Sequence, residues 1–398
     1  MSVKISKQEF AERIDRIRQS MHDEGIEVFM IFGDEYRREN LRYVSNFWPL
    51  FERGMLVIGQ KAEPVMLVAP EGERYAREMS VWQDLRIIKE MEMAYVPDKI
   101  EYSTSLYSDL SDILTELNQG KEPKKIGVCG LDAMSSTTLE SFKAAVPNAE
   151  FINSNDIIFK MRLIKSAGEI EVLKKVWEIC DIGYKAVLDS DIVGLTEIQA
   201  AAIGEKAARD AGAESITFTI FASGERTNTV IGRPTEKIIE AGDMIMYALA
   251  VQYQGYIASD EWPFVAGGNP SPKQQQLIHD LIVAEDIGIK AITPGVKAGK
   301  VIKEIRDYFN ERGLSENDLY PPIHGNGLAE AESPYPDENS TYAFEKGMGI
   351  NFDVSLFGVE GVGSNRIEEG FIIGEEGLIT LSPLISGLRE LYLKKYRK

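Results

Sequence analysis

Short apolar runs in alternation with helical stretches are the feature that most limits what this chain can fold into. In the first third, residues 28–32, 55–58, 64–68 and 125–128 are apolar runs bounded by Gly, Pro or Asp. Between and before them lie helical stretches such as 7–24, where Phe10, Ile14, Ile17 and Met21 recur at helical spacing and Gly25 supplies the stop, and 136–146. Runs of strand length exchanged with helices predict an α/β layered domain over residues 1–153, with its boundary near 153–155. Beyond it, 157–187 reads as one long helix, and 196–211 opens on Thr196 as a cap with Glu197 beside it. Strands are expected at 216–221, 244–252, 256–265, 349–356 and 370–373, with helices at 272–292 and 300–312. Because the elements come in blocks, residues 154–398 are expected to form an α+β domain.

A length of 398 residues suits two such domains. The formal net charge is −19 and no long basic run occurs, which argues against a nucleic-acid partner and favours a cationic or zwitterionic small molecule. Residues 1–25 are polar and amphipathic without an apolar leader, and no stretch nears the ~18 apolar residues of a membrane span, so a cytoplasmic location is expected. Cys129 and Cys180 lie far apart without CxxC spacing; they are expected as core thiols, not as a disulfide or zinc site.

Of the three histidines, His22 and His279 sit in helical patterns among charged neighbours. His324 stands apart in PPIHGNGLAEAESP, ahead of Gly325, Gly327 and an acidic pair, Glu330 and Glu332. Glycines here can take φ > 0 and let a ligand approach the backbone. Histidine titrates nearest neutral pH and is the commonest metal ligand. The alternative is a structural histidine in a turn.

A set of motifs then carries a resemblance. MRLIKSAGEIEVLKKV (161–176), GDMIM (242–246), GYIAS (255–259), HGNGL (324–328), KGMGINFD (346–353) and SNRIEEG (364–370) come in the order and spacing of the creatinase, prolidase and aminopeptidase P family. The resemblance implies an α/β creatinase-type N-terminal domain, an α+β pita-bread C-terminal domain and a homodimer. The family's peptidases hold two metal ions on two aspartates, a histidine and two glutamates. At the matching positions this chain has Ala248, Ser259, His324, Asp353 and Glu368. A one-residue gap would put Asp260 in place of Ser259, but strand alternation turns Asp260 to the other face. Two further family histidines correspond to Ile231 and Ala331.

Creatinase, the member that works without metal, has a glutamate two residues past the second aspartate position, here Glu261. It also reaches across its dimer with a Phe-x-Arg, matched in NFWPLFERG by Phe51 and Arg53, so Arg53 is expected to reach the neighbour's site and grip a substrate carboxylate. The proton-transferring histidine of creatinase is Ile231 here, and its second carboxylate-binding arginine has no counterpart in AESPYPDENS. The sequence thus predicts His324, Glu261, Asp353 and Glu368 as catalytic groups, Phe51, Arg53 and Glu332 as substrate contacts, and Glu330 at a solvated turn. The predicted activity is metal-independent, creatinase-like hydrolysis of a C–N bond in a small nitrogenous carboxylate, with no cofactor. Two alternatives stand beside it: a divergent Xaa-Pro peptidase with one Mn or Zn on His324, Asp353 and Glu368, and a non-catalytic binding member of the family.

Overall fold

The computed structural model describes residues 3–93 and 102–396. The chain divides into two compact units, Ile5–Arg162, and Leu163–Lys398 together with Met1–Lys4.

In the first unit the strands are β1 (Val28–Gly33), β2 (Gly54–Gly59), β3 (Val65–Val68), β4 (Leu85–Ile87), β5 (Lys125–Cys129) and β6 (Glu150–Asn153). They form one sheet in the order β4-β3-β2-β1-β5-β6. Pairing is antiparallel for β1 with β2 and β2 with β3, and parallel at the other joints. Every residue of β1, β2 and β3 is buried, as expected of strands covered on both faces. Val28, Met30, Phe32, Val57, Leu114 and Phe142 lie in its core cluster, each full burial of such a side chain contributing about 1.5–3 kcal/mol. Helix Lys7–Glu24 begins where the Ser6 side chain accepts from Glu9 N–H and ends at Gly25, whose φ of 66° needs glycine.

The helix expected over 157–187 is two helices, Asn155–Leu163 and Ala167–Leu188. They are split where Ser166 and Glu169 cap each other reciprocally, which starts a new helix in the middle of the apolar periodicity. The first compact unit therefore runs to Arg162, past the boundary near 153 read from the sequence.

The second unit contains β7 (Ser215–Ser223), β8 (Met244–Tyr253), β9 (Tyr256–Glu261), β10 (Phe264–Val265), β11 (Ile323–Gly325), β12 (Gly349–Val359), β13 (Gly363–Ile373) and β14 (Leu378–Thr380). The sheet order is β10-β8-β9-β13-β12-β11, with β7 on β8 and β14 on β13. The run 256–265 breaks at Trp262, whose N–H donates to Tyr184 Oη at 2.7 Å instead of to a ladder, just before Pro263, which has no N–H to give. β13 starts seven residues earlier than the predicted 370, at Gly363, and so carries Arg366 and Glu368. Side chains alternate across this sheet, putting Ser259, Glu261, Asp353, Arg366 and Glu368 on one face and Asp260, Phe352 and Glu369 on the other. Helices Ala167–Leu188 and Pro272–Ala291 cover that other face. A Cβ on Gly370 would lie 2.1 Å from the Trp177 ring and one on Gly288 2.4 Å from Phe352, so both contacts require glycine. Cys129 and Cys180 are buried free thiols. Among the described residues no helix is long and apolar enough to cross a membrane.

Candidate active site

Four neighbouring strands bring Asp353, Glu368, Glu261 and Ala248 into one lateral row: Asp353 pairs with Glu368, Glu368 with Glu261, and Glu261 with Ala248. His324 is the middle residue of β11, paired with Asn351 of β12, a strand position and not the turn that its glycines suggested. Gly325 and Gly327 do not use positive φ. They are required by close packing: a Cβ on Gly325 would lie 2.3 Å from the Ser333 carbonyl oxygen, and one on Gly327 2.5 Å from the Glu332 carboxylate.

The row is wired by hydrogen bonds. Glu368 accepts from Ser259 Oγ at 2.9 Å and from Asn351 Nδ2 at 2.7 Å. Arg366 sets its Nε 3.2 Å from Glu261 and its Nη1 3.6 Å from Asp353, and Nη2 donates to the Val230 carbonyl at 2.8 Å. Val230 has φ 65°, a costly backbone for a β-branched residue, so the carbonyl that holds Arg366 is itself held under strain. His324 Nδ1 lies 3.0 Å from the Gly325 carbonyl, which can only accept; Nδ1 therefore carries the hydrogen. Nε2 is left facing Glu330 at 3.5 Å and Glu368 at 3.6 Å. The Tyr335 ring stacks over the imidazole at 5.9 Å.

Burial alone would lower the His324 pKa, but the nearby Glu368, Glu330 and Asp353 carboxylates outweigh it and push it up to about 10. Burial, reinforced by the charge of Glu368 and partly offset by His324, pushes Glu330 up to about 7. Glu261 is also raised, by burial first, with Arg366 opposing. A cavity of about 880 Å³ opens onto these groups, with His324, Glu330, Asp353, Arg366 and Glu368 among its lining, Ala248 and Ala331 leaving room, and Phe218, Ile231 and Tyr335 as apolar wall.

Several expectations need correction. Glu330 is no solvated turn residue but the second carboxylate on the imidazole. Glu332, expected on the substrate, is instead bound to Lys165 Nζ at 2.6 Å with both side chains nearly inaccessible, and it is absent from the cavity lining. Asp260 turns away from the row and approaches Asp181 and Cys180, while Ser259 faces the row and bonds Glu368, as strand alternation predicts. Ile231 is 74% exposed at the cavity wall and can move no proton. In the first unit, Phe51 is exposed, while the Arg53 guanidinium donates to Thr138 Oγ1 and to the Glu92 carbonyl.

The donor set decides how many ions fit. Ala248 offers no ligand atom, Ser259 offers only a neutral hydroxyl that donates to Glu368, and the Arg366 guanidinium already balances Glu261 and Asp353, so too few carboxylates remain for a two-ion centre. One ion does: ligand atoms of His324, Glu330 and Glu368 all lie within 4.8 Å of one another. Three ligands with an open position is a catalytic arrangement for zinc. The single-ion set expected from sequence had Asp353 where the structure offers Glu330.

Comparison with known proteins agrees with this scaffold. Residues 13–164 match the profile of the creatinase/prolidase N-terminal domain, and residues 171–375 match that of metallopeptidase family M24. An Xaa-Pro dipeptidase of Pyrococcus furiosus is 27% identical over 368 residues, covering 92% of this chain and 96% of its own. An uncharacterized peptidase of Bacillus subtilis is 28% identical over 375 residues, covering 93% and 98%. Among solved structures, the prolidase of Pyrococcus horikoshii superposes with a TM-score of 0.79 at 25% identity, covering 93% of this chain and 98% of that one. An Xaa-Pro dipeptidase from Bacillus anthracis superposes at 0.78 with 26% identity, covering 94% and 98%. The M24 match spans more than half of the 398 residues, and the chain belongs to metallopeptidase family M24, with a creatinase/prolidase N-terminal domain ahead of a pita-bread domain.

Proposed function

We propose that this protein hydrolyses the amide C–N bond of a short peptide, in the manner named for its Xaa-Pro dipeptidase relatives, at a site built for one divalent ion instead of two. The observation that carries the reading is the convergence of His324, Glu330 and Glu368 on one point of an open cavity. One Mn or Zn ion there would supply electrophilic polarisation and a water of lowered pKa. The chain's own residues do the rest. Ser259 and Asn351 fix the Glu368 carboxylate so that its remaining lone pairs point at His324. Asp353, oriented by Ser355 Oγ at 2.9 Å, lines the cavity outside the three-ligand set and is placed to take a proton from the attacking water and return it to the leaving nitrogen. Arg366, held by Glu261, Asp353 and the Val230 carbonyl, keeps a fixed positive charge in the cavity lining that would favour an oxygen as it becomes anionic. Phe218, Ile231 and Tyr335 suit a compact apolar residue such as proline.

A second reading, metal-free hydrolysis of a small nitrogenous carboxylate, is favoured by Arg366, whose guanidinium already sets a positive charge beside Glu261 and Asp353. The test is turnover of alanyl-proline by chelator-treated protein, before and after adding back Mn or Zn. Activity that vanishes and returns with the ion supports the first reading. Undiminished activity in metal-free protein would hand the site to the second, and no cleavage of any Xaa-Pro dipeptide with either ion would contradict the first.

A further inference from the structure

Two guanidinium groups line the cavity, Arg233 and Arg366. Arg366 is committed to Glu261, Asp353 and Val230. Arg233 is exposed, and among the described residues its side chain has neither a hydrogen-bond partner nor an ion pair; only its carbonyl is used, accepting from Arg226 Nη2 at 3.1 Å. Glu205, which also lines the cavity, is engaged by Thr219 Oγ1 at 2.6 Å.

The backbone beneath Arg233 is fastened on both sides. Gly232 accepts from Phe221 N–H at 3.0 Å. Pro234 restrains its own φ and holds the preceding residue in extended geometry. Thr235 binds the fully buried Glu197 carboxylate through its N–H at 3.0 Å and its hydroxyl at 2.7 Å, and Arg226 pairs with the same carboxylate. A fork that is free at its tip on a pinned base gives up little backbone freedom when it binds.

The cavity lining carries four carboxylates, Glu205, Glu330, Asp353 and Glu368, beside the two guanidinium groups. On a chain of net charge −19 with so acidic a lining, a substrate carboxylate entering the cavity needs a dedicated cation. We infer that Arg233 is the specificity-determining residue that grips the free C-terminal carboxylate of the substrate, making this a dipeptidase-type site for zwitterions and not one for longer or amidated peptides. The inference rests on the hydrolase reading above for its reaction, though not for its binding. The planar fork matches a carboxylate two bonds at a time, which a terminal amide cannot reproduce.

The test compares alanyl-proline with alanyl-prolinamide on full-length protein supplied with Mn, by turnover and by calorimetric binding. Wild type is expected to prefer the carboxylate by about tenfold to a hundredfold. Arg233→Gln should bring the two substrates to within about twofold of each other, the loss falling on KM for the dipeptide, and Arg233→Lys should restore part of the preference. A preference that survives in Arg233→Gln, or one never present in wild type, overturns the assignment. Carboxylate-selective binding lost in Arg233→Gln, with no cleavage of either substrate, upholds Arg233 and overturns the hydrolase reading. Cleavage of both substrates at equal efficiency does the reverse.

Discussion

Glu368 and Glu369 are neighbours in sequence and both buried, yet they belong to two different kinds of acidic cluster on opposite faces of one sheet. Towards the cavity, Glu368, Glu330, Asp353 and Glu261 surround an imidazole and Arg366, with room for a substrate. On the face packed under the helices, Glu369 is held by Arg389 Nε at 2.7 Å and by Ser386, and Arg389 also lies 3.6 Å from Glu285. Asp181 there accepts from Ser382 Oγ at 2.7 Å and from the Leu384 N–H at 2.9 Å, which anchors the start of the last helix. Each cluster sets an arginine among carboxylates, and burial raises the proton affinity of Glu330 and Glu261 in the first and of Glu369, Glu285 and Asp181 in the second. What separates chemistry from scaffold is a titratable ring and access to solvent. Strand alternation, a matter of one residue, decides which cluster a carboxylate joins.

The largest expected difference lies in that pair. Glu368→Gln should lower kcat/KM by about a hundredfold to ten-thousandfold with a modest change in stability. Glu369→Gln should leave turnover close to wild type and instead cost about 2–4 kcal/mol in urea unfolding, because Arg389 loses its best partner. Equal activity losses in both variants would break the comparison. The two arginines come next. Arg366→Met and Arg389→Met should each destabilise by about 3–5 kcal/mol, since both strand buried carboxylates, but only Arg366→Met should also slow turnover. Smaller again is Gly325→Ala, whose methyl must displace the Ser333 carbonyl 2.3 Å away. A cost of about 1–3 kcal/mol is expected, with turnover reduced because the same turn carries Glu330.

The smallest effect is a slope. Burial holds the Asp260 pKa well above its usual value, with the Asp181 charge adding to the rise. The folded state therefore keeps a proton that the unfolded chain releases. Stability from this group is full below the ordinary carboxylate range and is lost as pH rises toward the raised value. Measured by urea unfolding between pH 5 and 8, Asp260's share of the weakening with pH should be at most one proton's worth, about 1.4 kcal/mol per unit. Asp260→Asn should reduce the slope by that share, and an unchanged slope would contradict a raised Asp260 pKa.

The architecture was legible because periodicity and motif order are local properties. Strand alternation alone predicts that Ser259 and Asp260 take opposite faces, as they do. The helix break at Ser166 was missed although its S-x-x-E signature was present, since apolar spacing on either side continues in phase. Glu330 and Glu332 were assigned the wrong way round for a tertiary reason: only the fold reveals that Lys165, far upstream, claims Glu332 and leaves Glu330 to the imidazole. Arg233 carried no signal, because its meaning comes from the Glu197 clamp beneath it and from the cavity it borders.

The proposed single-ion site on His324, Glu330 and Glu368 has the Arg366 guanidinium, not a second ion, beside Glu261 and Asp353. Native mass spectrometry of full-length protein equilibrated with Mn tests it most directly. One ion per chain is predicted for wild type and for Asp260→Asn, and none for His324→Ala or Glu330→Gln. Two ions per chain, or one that persists in both site variants, would contradict it.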